Sequence, residues 1–558
     1  MTVTKTISKA DLKIAEILND YRIINESREA SLLGRKEVFM GKAKFGIFGD
    51  GKEVAQVAMA KVFRNGDFRS GYYRDQTFMF SIGELTVQQY FAQLYAHTDV
   101  KAEPASAGRL MNGHFATRLL DDNGLWLPQT SRKNSSSDVS CTAAQMPRLV
   151  GLAYASKLYR QNPELKDYVD FSINGNEIAF GTIGNASTSE GIFLESINAA
   201  GVLQIPMIIC IWDDDYGISV PQKYHTTKQD ISKALEGFRR NKDGPGYEIF
   251  VVKGWDYDAL YKTFKKAEKI ARNEHVPVMI HVKEMTQPQG HSTSGSHERY
   301  KSTRRLEWEK EFDCISKMRE WILDQDLVAA EQLDLIEIEA KQSAKDAKNK
   351  AWKEFIADIK SEQREACLIM ERLSQQSVNG QLIGNLKVGL EKTLAPIRMD
   401  TVGTVKKALR LVRKEKVEAK TELQQWLEKT MELNYDRYSS YLYSQSPESA
   451  LNISEIKPVY SEQSKLVDGR EILQANFDAA LTNDPRVVAF GEDVGKIGDV
   501  NQAFAGLQKK HGELRVMDTG IRESAIIGEG IGLAMRGLKP IAEIQYLDYL
   551  IYAIQTLS

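Results

Sequence analysis

The 558-residue chain holds only four cysteines, Cys141, Cys210, Cys314 and Cys367, and they stand far apart. No two share the short spacing of a zinc or redox motif, so neither a structural metal framework nor a disulfide scaffold is expected. A charge excess is missing too. Lys and Arg number 74 against 76 Asp and Glu, a formal balance of -2, and nothing in that marks a nucleic-acid partner. No apolar run approaches membrane-spanning length, and the opening MTVTKTISKADLKIAEIL lacks the continuous apolar core of a signal peptide. A soluble, cytoplasmic protein with no membrane and no nucleic-acid partner is expected. At 42% hydrophobic residues the chain is expected to fold throughout, and its length, too great for one core, suggests about three domains.

The pattern becomes informative between Phe180 and Val220. An apolar run from Ile178 to Ile183 ends in Gly184, and Ser187-Thr188-Ser189-Glu190 then spells a capping box. Phe193, Ile197 and Ala200 share a helical face until Gly201, and a second apolar run, Pro206 to Trp212, reads as a buried strand. Strand, helix and strand build a parallel sheet whose ligands gather at the strands' carboxyl ends. Asn185 stands just past the first strand and Asp213-Asp214-Asp215 just past the second. An amide and a carboxylate beside a helix amino terminus suit a hard divalent cation holding a phosphate group. On these residues alone, a polar rim on an ordinary doubly wound sheet is an equal reading.

Elsewhere the chain alternates in the same way. A helix is expected from Asp11 to about Leu33, a glycine-rich stretch over 41–51, and a helix from Glu53 to Phe63, followed by Tyr73-Arg74-Asp75. The polar insert from Arg118 to Asp138, with Ser135-Ser136-Ser137, reads as loop. The strand Tyr247–Val252, the helix Tyr257–Asn273 and the strand Pro277–Val282 lead to GHSTSGSHERY, which places His291 past another strand end. From Arg304 to Tyr443 the pattern is helical. Trp352, Phe355, Ile356 and Ile359 form one stripe and Leu423, Trp426 and Leu427 another, without a sustained heptad, so a helical spacer is expected. A polar linker over 444–465 precedes a helix Asp468–Leu481, a strand Arg486–Phe490 and GEDVG.

GNASTSEG followed by DDDYGIS resembles the thiamine diphosphate fingerprint, GDG and later NN, of the decarboxylating component of 2-oxo acid dehydrogenase complexes. The YRD at 73–75 resembles that family's YRE or YRD element, which implies that Tyr73 and Arg74 contact the cofactor and its diphosphate; a guanidinium can hold phosphate oxygens bidentately. GRLMNGHF (108–115) and SCTAAQMPRLVGLAY (140–154) resemble GRQMPVHY and SPLATQMPQAVGAAY. That implies Ser140 and Thr142 on the thiazolium wall, with Thr142 in place of a larger aliphatic residue. GHSTS resembles GHHSTS, which implies a catalytic His291; Ser292 and Ser294 match residues that some relatives phosphorylate. RVMDTGIRESAIIGEGIG and AEIQYLDY resemble the pyrimidine-binding half of the family's beta subunit, DTPIAESGIVG and AEIQFMDF. Glu523 then falls on the glutamate that protonates the aminopyrimidine ring and so activates the cofactor. Gly528, Gly530 and Gly532 suggest close backbone contact at a subunit interface.

The resemblance implies an α/β thiamine diphosphate-binding fold: parallel sheets flanked by helices, with a helical connecting region. Residues 1–303 would be an alpha-like diphosphate-binding domain, 304–464 the connecting region and linker, and 465–558 an incomplete beta-like pyrimidine-binding domain. The family's following portion, which carries a further histidine used in acyl transfer, would lie beyond Ser558 or on another chain. The implied activity is oxidative decarboxylation of a 2-oxo acid, branched-chain favoured over pyruvate because of GHSTS, with acyl transfer to a lipoylated acyltransferase partner. A homo-oligomer is expected, with Glu523 meeting the mouth of another copy. Gly184-Asn185-Ala186 replaces GDG and Asp213-Asp214 replaces NN. We read this as an exchange of ligands, in which Mg2+ binds Asn185, Asp214 and the Tyr216 carbonyl and the total ligand charge is unchanged. The alternatives are a cofactor-dead structural or regulatory subunit and a transketolase-like enzyme.

Overall fold

Strands form where apolar runs are bounded by glycine, and in the computed structural model of residues 9–557, less 242, 243, 441, 443, 445 and 448, these runs assemble one large parallel sheet. The first eight residues and Tyr443, the expected end of the helical region, lie outside the described residues. The sheet's strands are β1 (Phe68–Ser70), β2 (Asn134–Ser135), β3 (Ala179–Gly184), β4 (Met207–Trp212), β7 (Glu248–Lys253) and β8 (Val278–Lys283); β5 (Tyr216–Gly217) and β6 (Val220–Pro221) form a separate small hairpin. Their order is β2-β1-β3-β4-β8-β7, parallel throughout. Within the insert read as loop, Asn134 and Ser135 make the edge strand, because Arg69 on β1 donates to the Ser135 hydroxyl at 2.9 Å.

Successive residues of a strand face opposite ways, and the sheet separates two cores accordingly. Phe180, Ile208 and Cys210 pack under α1 (Lys9–Phe39), α2 (Glu53–Ala60) and α5 (Tyr257–Glu274). Ile183, Ile209 and Ile211 pack under α3 (Gln145–Gln161) and α4 (Gly191–Leu203). Each fully buried aliphatic side chain contributes about 1.5–3 kcal/mol, so the sheet's central strands anchor the fold.

Three local expectations fail for physical reasons. Ser187–Glu190 does not cap α4, whose amino end has no side-chain cap. The Thr188 hydroxyl donates instead to the Asn185 carbonyl at 2.6 Å and that of Ser189 to the His225 carbonyl at 2.6 Å, which winds 185–189 into a 3-10 turn. Gly201 lies inside α4, which ends at Leu203, where Gln204 takes φ +47 and Pro206 follows. The helical middle is more than a spacer. Cys314, Met318, Ile322 and Leu333 enter the first core, and Trp352 of the 47-residue α6 (Ala330–Gln376) meets the Tyr95 ring at 5.0 Å. Only its far half, around Met370, Val405 and Leu423, has a core of its own.

After α7 (Gly469–Asn483), capped by Asp468 and Glu471, a second parallel sheet forms from β9 (Val487–Glu492), β10 (Val516–Thr519) and β11 (Lys539–Ala542). Its helix α8 (Glu523–Met535) lies against α3, and Phe490, Ile526 and Leu533 join the second core of the first sheet. No helix among the described residues is long and apolar enough to cross a membrane.

Candidate active site

The register of β3 on β4 sets the site. Gly184 pairs with Trp212, so Asn185 and Asp213 leave the sheet side by side at its carboxyl edge. The three aspartates then diverge. Asp213 accepts from His281 at 2.8 Å and Gln222 at 3.0 Å, Asp214 accepts from Lys52 at 2.9 Å, and Asp215, at φ +68, pairs with Arg305. β5 folds back so closely that a Cβ on Gly217 would lie 2.6 Å from Ala186. The Asn185 side chain is 3% exposed, and its Nδ2 has no partner.

Tyr73 and Arg74 reach this edge because the turn bearing them is tied down. Asp75 accepts from Arg69 at 2.7 Å and from the Thr182 hydroxyl, and Arg69 also pairs with Asp138 at 2.9 Å, all of them fully buried. Arg74 donates to the Phe48 carbonyl at 2.5 Å and, through Nη2, to the His291 carbonyl and Nδ1 at 3.0 Å each. A guanidinium can only donate, so Nδ1 accepts and the imidazole proton resides on Nε2. Burial and the Arg74 charge hold His291 down to about 4, leaving it neutral at physiological pH. The loop bearing it is pinned by Arg35 on the Gln289 carbonyl at 2.8 Å and by Thr293 on Gly46 at 3.0 Å; the Ser292 and Ser294 hydroxyls bond each other at 2.7 Å.

The Tyr73 ring neighbours two imidazoles, those of His114 and His291, each with its centroid 6.5 Å away. His114 bonds the Ser140 hydroxyl at 3.1 Å through Nε2, while its Nδ1 is buried without a partner. His114 lies in the GRLMNGHF stretch, where nothing in the sequence singles it out. Thr142 stays exposed on the turn into α3, next to Ala143 at φ +66.

Glu523 comes to the same end through helix packing. A Cβ on Gly528 would lie 2.1 Å from the Pro147 Cβ, one on Gly151 2.3 Å from the Glu529 carbonyl, and one on Gly532 2.4 Å from the Leu152 nitrogen. Tyr159 then donates to the Arg536 carbonyl at 2.7 Å. Contacts rise together in both helices, so they run parallel, and their amino ends, Ser140 to Thr142 on one and Glu523 on the other, lie at one side. Glu195 of α4 seals the junction by accepting from the Ala525 amide at 2.7 Å. The helix that begins at Glu523 thus packs on the alpha-like half of its own chain.

The residue that sequence reasoning missed is Lys52. It is 1% exposed, and its ammonium donates to Asp214 at 2.9 Å, the Thr286 carbonyl at 2.8 Å and the Gln287 amide oxygen at 2.6 Å. Three acceptors require three N–H groups, so the amine is charged. Burial opposes ionisation of Asp214, yet Lys52, with Arg74 and Lys301, holds it down to about 2.

The residues fit an organic diphosphate. One buried cation not paired with a carboxylate, Arg74, and an unpartnered buried amide donor on Asn185 stand at this strand edge, and a buried polar atom without a partner calls for a ligand or water. They do not fit Mg2+. The only carboxylate of the three expected ligands is already bonded to an ammonium, so the set of Asn185, Asp214 and Lys52 is neutral, and the constant ligand charge expected from the exchange is cancelled. Among the described residues no group of three or more His, Cys, Asp or Glu side chains could hold a metal.

Residues 465–558 match the transketolase pyrimidine-binding domain. Over 76 residues, 14% of this chain and 23% of the relative, the chain is 54% identical to the pyruvate dehydrogenase E1 component subunit beta of Acholeplasma laidlawii. Over 293 residues, 52% of this chain and 77% of the relative, it is 27% identical to the 2-oxoisovalerate dehydrogenase subunit alpha of Bacillus subtilis. With the human mitochondrial 2-oxoisovalerate dehydrogenase subunit alpha it shares 26% over 289 residues, 51% of this chain and 55% of the relative. It thus spans about a quarter of a beta-subunit relative's length. Residues 31–360, more than half the chain, match the dehydrogenase E1 component family, and the chain belongs to that family.

Proposed function

We propose that this chain is the thiamine diphosphate-dependent, decarboxylating component of a 2-oxo acid dehydrogenase complex. Alpha-like residues 1–303 and beta-like residues 465–558 share one polypeptide, and residues 304–464 are the helical connecting region and linker between them. The observation that carries the reading is the parallel pair α3 and α8, whose amino ends bring Glu523 to the side of Ser140 and Thr142.

When bound, thiamine diphosphate supplies a nucleophilic carbon that adds to the 2-oxo group and takes up the electron pair left by carbon dioxide. Glu523 holds a proton at the aminopyrimidine ring nitrogen and takes it back. Arg74 faces the diphosphate charge, Lys52 cancels that of Asp214, Asn185 donates its free amide N–H, and Tyr73, Ser140 and Thr142 wall the ring end. His291, fixed by Arg74 as the Nε2–H tautomer, offers that hydrogen to the substrate. GHSTS favours a branched-chain 2-oxo acid, the acyl group passes to the lipoyl arm of a partner acyltransferase, and the enzyme is a homo-oligomer.

The test is decarboxylation by the complete protein of 3-methyl-2-oxobutanoate and of pyruvate, followed with an artificial electron acceptor. Glu523→Gln is expected to lower kcat by about 10²–10⁴-fold while cofactor binding, read by calorimetry, persists. Wild-type turnover in that variant overturns the assignment. The altered corners favour one second reading, a subunit that no longer binds the cofactor; calorimetry showing no binding by the wild type selects it.

A further inference from the structure

The resemblance implies a divalent cation held by the residues at the two strand ends. Here the corresponding corners carry different chemistry. Asn185 puts an uncharged amide where the resemblance expects an aspartate, and its buried Nδ2 has no acceptor, so this corner brings no charge for a cation and offers an anion a free N–H. Asp214 retains the charge that would attract a metal, yet Lys52 is bonded to it at 2.9 Å. That lysine has no path to solvent and no spare hydrogen, because Thr286 and Gln287 accept its other two. Its role is thus that of a fixed charge. Gly51, at φ +86, holds it there: a Cβ at that position would lie 2.0 Å from the Thr286 carbonyl, so the turn aiming Lys52 at Asp214 admits glycine alone. The second fixed cation, Arg74, is 4% exposed and is bonded to the His291 ring at 3.0 Å.

We propose that this chain takes the diphosphate without a divalent cation: Lys52 cancels the Asp214 charge, and Asn185 and Arg74 donate N–H groups directly to phosphate oxygens. The inference rests on the cofactor reading above and deepens it. Charge-assisted hydrogen bonds to a phosphate are the strong kind, and in a buried site they need no metal to bridge them.

The experiment is calorimetric titration of the full chain with thiamine diphosphate, and separately with inorganic pyrophosphate, in excess EDTA and in excess Mg2+. The wild type is expected to bind both probes in EDTA, with a Kd that Mg2+ improves by less than about tenfold, the effect of one modest interaction. A larger improvement, or binding only with Mg2+, overturns the proposal and leaves the cofactor reading intact. No binding of thiamine diphosphate under either condition overturns both. Asn185→Asp removes the donor and adds a charge that Lys52 does not cancel; it is expected to weaken binding in EDTA by about 10–100-fold, the value of a charge-assisted hydrogen bond, and to make binding respond to Mg2+. Lys52→Met is expected to shift binding the same way. Because burying methionine there could upset folding, thermal melting accompanies each titration, and Asn185→Asp, which keeps the side-chain volume, decides the matter if Lys52→Met unfolds. An Asn185→Asp protein that binds as well as the wild type in EDTA refutes the direct contact.

Discussion

At the scale of single residues, the Lys52–Asp214 pair dominates the site. Removing one partner of a buried ion pair strands the other charge and costs about 3–5 kcal/mol, whereas replacing both can be nearly neutral. Asp214→Asn is therefore expected to lower stability to urea by on the order of 3 kcal/mol, and the Lys52→Met, Asp214→Asn double variant to recover most of it. Equal losses in the single and double variants would show that the two do not interact. Asp214 and Asn185 were legible in the sequence, since each follows an apolar run that had to be a buried strand. Lys52 was not, because it lies 162 residues from its partner, and a lysine after Gly-Asp-Gly reads as a solvated loop residue until the fold closes over it. His291 was legible by position and motif, but its tautomer depends on Arg74, 217 residues away.

At the scale of elements, the crossing of α3 and α8 joins the two halves. Gly528→Ala would drive a methyl group into Pro147 and Arg148, and overpacking of this kind costs about 1–3 kcal/mol. We expect a lower Tm and weaker thiamine diphosphate binding together; a loss of Tm with unchanged binding would separate the crossing from the site. Within the same helix Glu529 is fully buried with both carboxylate oxygens unbonded, Arg522 standing at 3.5 Å outside hydrogen-bond geometry. Burial pushes its carboxyl up to about 7 from the ordinary 4.5, with Arg522 offsetting only part. The folded state thus holds a proton that the unfolded chain releases near 4.5. Between about 4.5 and 7 stability falls as pH rises, and the full penalty, on the order of 3 kcal/mol, is present above that window. Glu529→Gln should raise Tm at pH 8 and change it little at pH 4; equal gains at both would contradict a charge effect. The glycines at 528, 530 and 532 signalled a close backbone approach in the sequence. Their partner did not appear there, because periodicity reports which face is bare and says nothing of what covers it. The false capping box at 187–190 has a related cause: the hydroxyls suited to cap a helix found carbonyls of the loop first.

At the scale of the molecule, the second core runs through both sheets, from Ile209 to Phe490 and Ile526. The stretch from Ile453 to Gly469, by contrast, is exposed residue after residue. Limited proteolysis should cut there first, and the two products should still co-elute on gel filtration, held by α3 and α8. Separate elution would mean that the shared core contributes little. The alternation of strands and helices, and hence the α/β class with parallel sheets, was plain from apolar periodicity. That the helical middle docks on Tyr95 was not, since a stripe such as Trp352 and Phe355 names no partner.

The exposed stretch has one more effect. Two proteins that must mate do so at a rate set by their abundance, and they part when diluted. Here the mating surfaces are tethered in one chain, and a tether that spans its two sites maintains a local concentration on the order of millimolar. The match between α3 and α8 consequently does not weaken when the protein is scarce, and each alpha-like face is made with one beta-like partner already in reach, so the ratio of the two halves is set at translation and needs no balancing of two genes' output.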